Sequence, residues 1–119
     1  MSPSLLDFLN HILYECSYIV KVSEGKTQDE ILNDETLCKA IVRSLEIIGE
    51  ATKKLPEEIR ITHPQINWND ISGMRDVLIH NYFGIDYDIV FHTIQNDIPG
   101  LHFELQRIIE MENKRTGKQ

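Results

Sequence analysis

Arg75, Asp76 and His80 form a short cluster of ionisable residues whose types could support acid–base chemistry. Asp76 and His80 are four residues apart, so on a helix they would share one face, where the carboxylate could orient the imidazole. Histidine is the side chain best suited to taking up and releasing a proton near neutral pH. The alternative is a histidine that interacts only with the dipole at a helix C-terminus.

Arg75 is unusual because it falls within an apolar stripe. If residues 68–81 form one helix, apolar and aromatic side chains lie on both sides of Arg75: Trp68, Ile71, Leu78, Ile79 and Tyr82. A guanidinium in such a position is costly unless it is paired or faces a cleft or an interface. Glu46 or Glu50 could pair with it within the chain, and a functional role is the other interpretation.

Arg75 and His80 would point in different directions on one straight helix, about 140° apart. They could act on one substrate if the helix deforms near His80. They could also do so if two copies of the segment meet across a dimer interface, which predicts a site built by two subunits.

The elements that must position these residues are predicted to be helical, because apolar residues recur every three or four positions along most of the chain. The first helix is expected to start with Ser2 as cap and Pro3 as its first residue, and to stop at Gly25. Five further helices are predicted from their capping residues. Thr27 caps a short helix, Asp34 caps a helix over about 35–55, and Asn67 caps one over about 68–81. Asp86 begins a helix to about Asn96, Asp97 begins the last one to about Asn113, and one extra turn is possible at 57–60. Strands have almost no support. We predict one all-α domain over residues 1–119, an up-and-down helical bundle of four long helices plus short ones.

Composition narrows the class of protein. The chain has 119 residues, 41% hydrophobic and 26% charged, which is typical of a globular domain and not of a disordered chain. We expect no signal peptide and no membrane span, because no apolar run reaches roughly 18 residues. Cys16 and Cys38 are too few for a disulfide framework and are expected to be buried thiols in the reducing cytoplasm. The net charge of −7 argues against nonspecific nucleic-acid binding but permits an enzyme that holds one phosphate locally.

Arg75, His80 and Tyr82 together give the pattern R-x4-H-x-Y, which resembles the motif of the HEPN superfamily. The chain looks most like the HepT toxins of HepT–MntA toxin–antitoxin pairs. The helix sequence RSLEIIGEA at 43–51 and the block MRDVLIHNYFGID at 74–86 are also similar to that family. The resemblance extends over roughly residues 5–112.

This resemblance implies a HEPN-type bundle that acts as a metal-independent endoribonuclease, usually dimeric, with the motif at a cleft between subunits. Arg75 would bind and polarise the scissile phosphate, and His80 would transfer protons while the RNA 2′-OH attacks. Asp76 would orient His80. No cofactor is expected, and the sequence carries no metal-binding signature.

The resemblance also implies a protein partner, a minimal nucleotidyltransferase antitoxin similar to MntA. This partner would silence the toxin by transferring AMP from ATP to Tyr82. Tyr82 lies seven residues after Arg75, so the added phosphate and bulk would block access of RNA to the guanidinium. Neither DNA nor a membrane is expected as a partner.

Two other functions fit the sequence less well. One is a noncatalytic helical subunit that docks on a nucleotidyltransferase and presents substrate to it. The other is a purely structural dimeric bundle, which the position of Arg75 in an apolar stripe disfavours. Trp68 and the remaining histidines are interpreted as packing or surface residues: His11, His63, His92 and His102.

Overall fold

The computed structural model describes residues 4–74, 76, 79–81 and 84–115, with residues 79–81 described by their backbone alone. Within these residues, the elements are α1 (Leu5–Ser23), α2 (Gln28–Leu32), α3 (Glu35–Lys53), α4 (Glu57–Thr62), α5 (Trp68–Ser72), β1 (Ile79–Asn81), β2 (Gly84–Ile85), α6 (Tyr87–Asn96) and α7 (Ile98–Arg115). The predicted all-α class is confirmed. The only departure in the described part of the chain is the short antiparallel pair of β1 and β2.

Polar side chains cap the helices close to the predicted positions. The hydroxyl of Thr27 accepts from the backbone of Glu30, whose carboxylate accepts from the backbone of Thr27. Asp34, Asn67 and Asp86 cap α3, α5 and α6 as predicted. Each cap satisfies backbone N–H groups that a helix leaves unpaired at its start.

The predicted start of α1 is wrong. The helix begins at Leu5, and Ser4 rather than Ser2 is its cap. The residue three positions after Ser4 is Asp7, whose carboxylate accepts a hydrogen bond from the Ser4 backbone N–H over 2.8 Å. The residue three positions after Ser2 is Leu5, which cannot make that bond.

The core lies where α1 packs against both α3 and α7. Nine large side chains there are fully buried: Leu9, Ile12 and Ile19 from α1, Ile41, Leu45 and Ile48 from α3, and Ile98, Leu105 and Ile108 from α7. The periodic stripe therefore faces inward on each long helix, as the spacing predicted. No helix within the described ranges is both long enough and apolar enough to cross a membrane.

The two cysteines are free and buried, which confirms the prediction that they are buried thiols. Burial, followed by the charge of Glu15, raises the pKa of Cys16 to about 12. Burial also raises the pKa of Cys38, whose Sγ donates to the carbonyl oxygen of Ile31 over 3.0 Å. Both sulfurs are therefore neutral at physiological pH and cannot serve as nucleophiles.

The predicted helix over 68–81 is also wrong. α5 ends at Ser72, and the backbone of Ile79–Asn81 is extended and pairs with Gly84–Ile85. Two properties of the sequence explain the change. Gly73 follows α5 and lowers the local preference for a helix, although Met74 and Asp76 still have helical backbone before the chain becomes extended. Gly84 adopts a φ of 142°, a conformation that only glycine takes without strain.

Candidate active site

The four predicted site residues lie in the segment between α5 and α6. Arg75 and Tyr82 are outside the described residues, and so is any pairing of Arg75 with Glu46 or Glu50. His80 is placed by its backbone, in the middle of β1. Asp76 is exposed, and its backbone N–H donates to the carbonyl oxygen of Gly73 over 3.0 Å.

Asp76 and His80 do not lie on one helix. Asp76 has helical backbone, whereas His80 is in a strand, so the spacing of four residues no longer puts them on one helix face. The backbone changes from helical at Asp76 to extended at Ile79, which is one of the two conditions under which Arg75 and His80 could act on one substrate. A two-subunit cleft is therefore not required by the helix geometry and stays a prediction from the family resemblance.

Trp68 fixes the start of the segment that leads to these residues. It is the first residue of α5, and only 5% of its surface is exposed. Its indole Nε1–H donates to the carbonyl oxygen of His63 over 2.8 Å, inside the protein. The interpretation of Trp68 as a packing residue is confirmed, and its hydrogen bond ties α5 to the end of α4.

A buried pair then ties the end of α4 to the last turn of α7. His63 Nε2 lies 3.8 Å from Glu112 Oε2, and both side chains are less than a tenth exposed. The same carboxylate accepts two hydrogen bonds from Arg115, at 2.8 Å from Nη2 and 3.1 Å from Nε. Hydrogen bonding to Glu112, followed by the charge of Glu112, raises the pKa of Arg115, so this side chain stays protonated.

Sequence reasoning missed the role of Glu112, although a signal was present. Glu112 is seven residues after Leu105 and four after Ile108, so it continues the apolar stripe of α7 into its last turn. A carboxylate in such a stripe requires a partner. The basic end of the chain supplied that partner, through Arg115.

A groove of about 630 Å³ lies beside the start of the predicted motif, between α5, α6 and α7. We refer to it as the α5–α7 groove. Buried apolar side chains of Ile66, Ile71, Met74 and Leu101 line its floor. Exposed polar residues line its rim, which carries amide, carboxylate and imidazole groups: Gln65, Asn67, Asn69, Asp70, His92, Asn96 and Asp97.

The other histidines have structural contacts within the part of the chain that the structure describes. His102 Nε2 lies 3.0 Å from Ser17 Oγ and joins α7 to α1. His11 faces Glu15 across 3.9 Å, and His92 lies beside the amide of Asn96. Among the described side chains, no three or more histidines, cysteines and carboxylates are arranged to hold a metal ion.

Comparison with known proteins gives consistent matches. The model of the ribonuclease HepT-like family matches residues 12–108. A protein of Caldanaerobacter subterraneus subsp. tengcongensis, named as a candidate RNase, is 45% identical over 105 residues, which is 88% of this chain and 94% of the relative. A protein of Thermococcus cleftensis, named "Probable ribonuclease HepT", is 35% identical over 108 residues, 91% of this chain and 98% of the relative. No solved structure matches significantly.

We predict that Glu112→Gln lowers the free energy of unfolding by about 1–3 kcal/mol, because it removes a buried charge that accepts two hydrogen bonds from Arg115 and lies beside the buried His63 side chain. Glu110→Gln is the matched control. Glu110 is on the same helix and lies 3.6 Å from Lys114, but its side chain is 70% exposed. Its replacement should change the stability by less than about 0.5 kcal/mol. Urea unfolding of both variants measures the difference, and equal losses would contradict a structural role for Glu112.

Proposed function

The chain belongs to the HepT-like ribonuclease family, and we propose that it is a metal-independent endoribonuclease toxin of a toxin–antitoxin pair. The observation that carries this proposal is the family match over residues 12–108, a range that contains the R-x4-H-x-Y pattern of Arg75, His80 and Tyr82. The relatives named as ribonucleases support the activity. The free thiols of Cys16 and Cys38 support a cytoplasmic location.

The proposed chemistry needs only groups that RNA and this chain supply. The 2′-OH attacks the adjacent phosphorus, the bond to the 5′-oxygen breaks, and the product ends are a cyclic phosphate and a 5′-hydroxyl. His80 carries out proton transfer in this exchange, near neutral pH. Arg75 holds the phosphate and stabilises the negative charge that builds up on its oxygens. Asp76 is proposed to orient His80.

We predict that the purified protein cleaves RNA in excess chelator and that Arg75→Ala and His80→Ala each lower the rate by about 10²-fold or more. His11→Ala is the control, because His11 is a half-exposed histidine of α1 outside the motif. Single-turnover cleavage of labelled RNA gives the rates. Unchanged rates in both motif variants would refute the site assignment. A parent protein that binds a nucleotidyltransferase but cuts no RNA would instead favour the docking-subunit function.

We also propose that the protein is a homodimer. The family resemblance supports this proposal. Two exposed aromatic rings on neighbouring helices are candidates for the contact: Tyr14 of α1, 69% exposed, and Phe103 of α7, 60% exposed.

Light scattering at micromolar concentration should give twice the 13.9 kDa chain mass. Phe103→Asp should shift the mass toward the monomer, because it places a charge in the contact, whereas Glu110→Gln should not. A parent protein of 13.9 kDa at all concentrations would rule out the dimer.

The proposed regulation acts on Tyr82. A minimal nucleotidyltransferase antitoxin would transfer AMP from ATP to the tyrosine oxygen, with release of pyrophosphate. The new phosphodiester would place negative charge and bulk near the arginine that receives RNA. Both effects oppose substrate binding, and neither requires a change of fold.

Co-expression with such a nucleotidyltransferase should raise the intact mass by one or more AMP units, with the modified peptide containing Tyr82. Tyr82→Phe keeps the ring but removes the acceptor oxygen, so it should stay unmodified and toxic. Tyr87→Phe is the matched control, since Tyr87 is 37% exposed and five residues further along. Modification of Tyr14, Tyr18 or Tyr87 in a neutralised Tyr82→Phe variant would refute this mechanism.

A further inference from the structure

We propose that the α5–α7 groove binds a nucleobase of the RNA next to the cleaved bond, with a preference for bases that carry an exocyclic amino group. This inference rests on the proposed ribonuclease function and identifies which part of the substrate lies in the groove. Four properties of the described residues support it.

The first property is size and lining. A groove of about 630 Å³ falls in the range of small-molecule sites, roughly 300–1,000 Å³. Its floor of Ile66, Ile71, Met74 and Leu101 offers an apolar surface for the face of a base. Amide groups on the rim, such as those of Asn69 and Asn96, can both donate to and accept from base edges.

The second property is charge. The described lining residues include the carboxylates of Asp70, Asp97 and Glu104 and no lysine or arginine. Glu104 is already paired with Arg107 over 3.2 Å and accepts from Gln65, so Asp70 and Asp97 carry the argument. Their charges would repel RNA phosphates, which disfavours a path of the RNA backbone through the groove. A carboxylate does accept hydrogen bonds from a base amino group such as N4 of cytosine. The charge thus selects a base over the backbone, and an amino-bearing base over uracil.

The third property is Gly100, a helical glycine in the wall of the groove. A glycine inside a helix costs about 0.5–1 kcal/mol relative to alanine. Packing within the chain does not explain this glycine, because a Cβ built on Gly100 meets no described atom within 4 Å and a larger side chain would therefore not clash. The open space is therefore available to an occupant from outside the chain.

The fourth property is continuity with the motif. Met74 lines the groove and is directly followed by Arg75, and consecutive Cα atoms are about 3.8 Å apart. The groove therefore lies next to the motif along the chain, which is why the proposed base is one beside the cleaved bond.

The test begins with binding, which does not depend on catalysis. Cytidine and uridine, both without phosphate, are titrated into the full chain while the methyl signals of Ile71 and Met74 are followed by NMR. Cytidine should shift both signals and bind about threefold tighter than uridine or better. Gly100→Leu should abolish the shifts, because its side chain fills the groove. Gln106→Leu, an exposed site on the same helix outside the groove, should bind as the parent does.

Cleavage then tests the link to the substrate. Gly100→Leu should raise the KM for a cytidine-containing RNA about tenfold while kcat changes less than about twofold, because the base contact is made equally before and during reaction. Unfolding by urea should show Gly100→Leu as stable as the parent or more stable.

Absence of any nucleoside-induced shift would overturn the base site, whether or not the parent cleaves RNA. Shifts without cleavage by the parent would leave the groove a base site and refute the ribonuclease function. If Gly100→Leu binds cytidine normally but loses dimerisation or antitoxin binding, the groove is a protein interface and the proposal is wrong.

Discussion

The hydrogen bond from the Trp68 indole to the His63 carbonyl fixes where the candidate site begins. The bond is buried, so no water can replace either partner if it breaks. It sets the position of α5, and His63 is held in turn through Glu112 by the last turn of α7. The start of α5, from which the chain continues to the motif, is therefore held by the end of α4 and the last turn of α7.

A second constraint comes from charge. A chain with a net charge of −7 cannot attract RNA over its whole surface. Under the proposed function, RNA would be bound through a few local contacts, with the Arg75 guanidinium for one phosphate and the α5–α7 groove for a neighbouring base. Such a protein would gain selectivity at the expense of general affinity, because most of the RNA backbone would be repelled.

The sequence predicted the bundle well because helices depend on local signals. Thr27, Asp34, Asn67 and Asp86 cap helices where expected, and the apolar stripes face the core. The start of α1 was missed because Ser2 and Ser4 are both good caps, and only the partner Asp7 decides between them. The prediction of one helix over 68–81 was wrong for a different reason. Its apolar residues fit the helical period, but the extended backbone at Ile79–Asn81 pairs with a strand at Gly84, a contact that periodicity does not encode.

For the candidate site, the sequence indicated a set of residues whose roles stay predictions, and it did not indicate how they are arranged. Resemblance to a family pointed to Arg75, His80, Asp76 and Tyr82, but the geometry inferred for Asp76 and His80 assumed a helix that ends before His80. The support behind the site, His63 with Glu112, joins residues 49 positions apart. Spacing along one helix cannot reveal a contact between two separate elements.

The burial of the two thiols affects how readily they are oxidised. Peroxide and disulfide reagents attack thiolates, and Cys16, with a pKa of about 12, forms almost none while folded. Burial, followed by the charge of Asp34, raises the pKa of Cys38 and protects it in the same way. Oxidation of these two thiols would therefore follow loss of the fold rather than cause it. The thioether of Met111, 52% exposed, stays open to oxidant while the protein is folded.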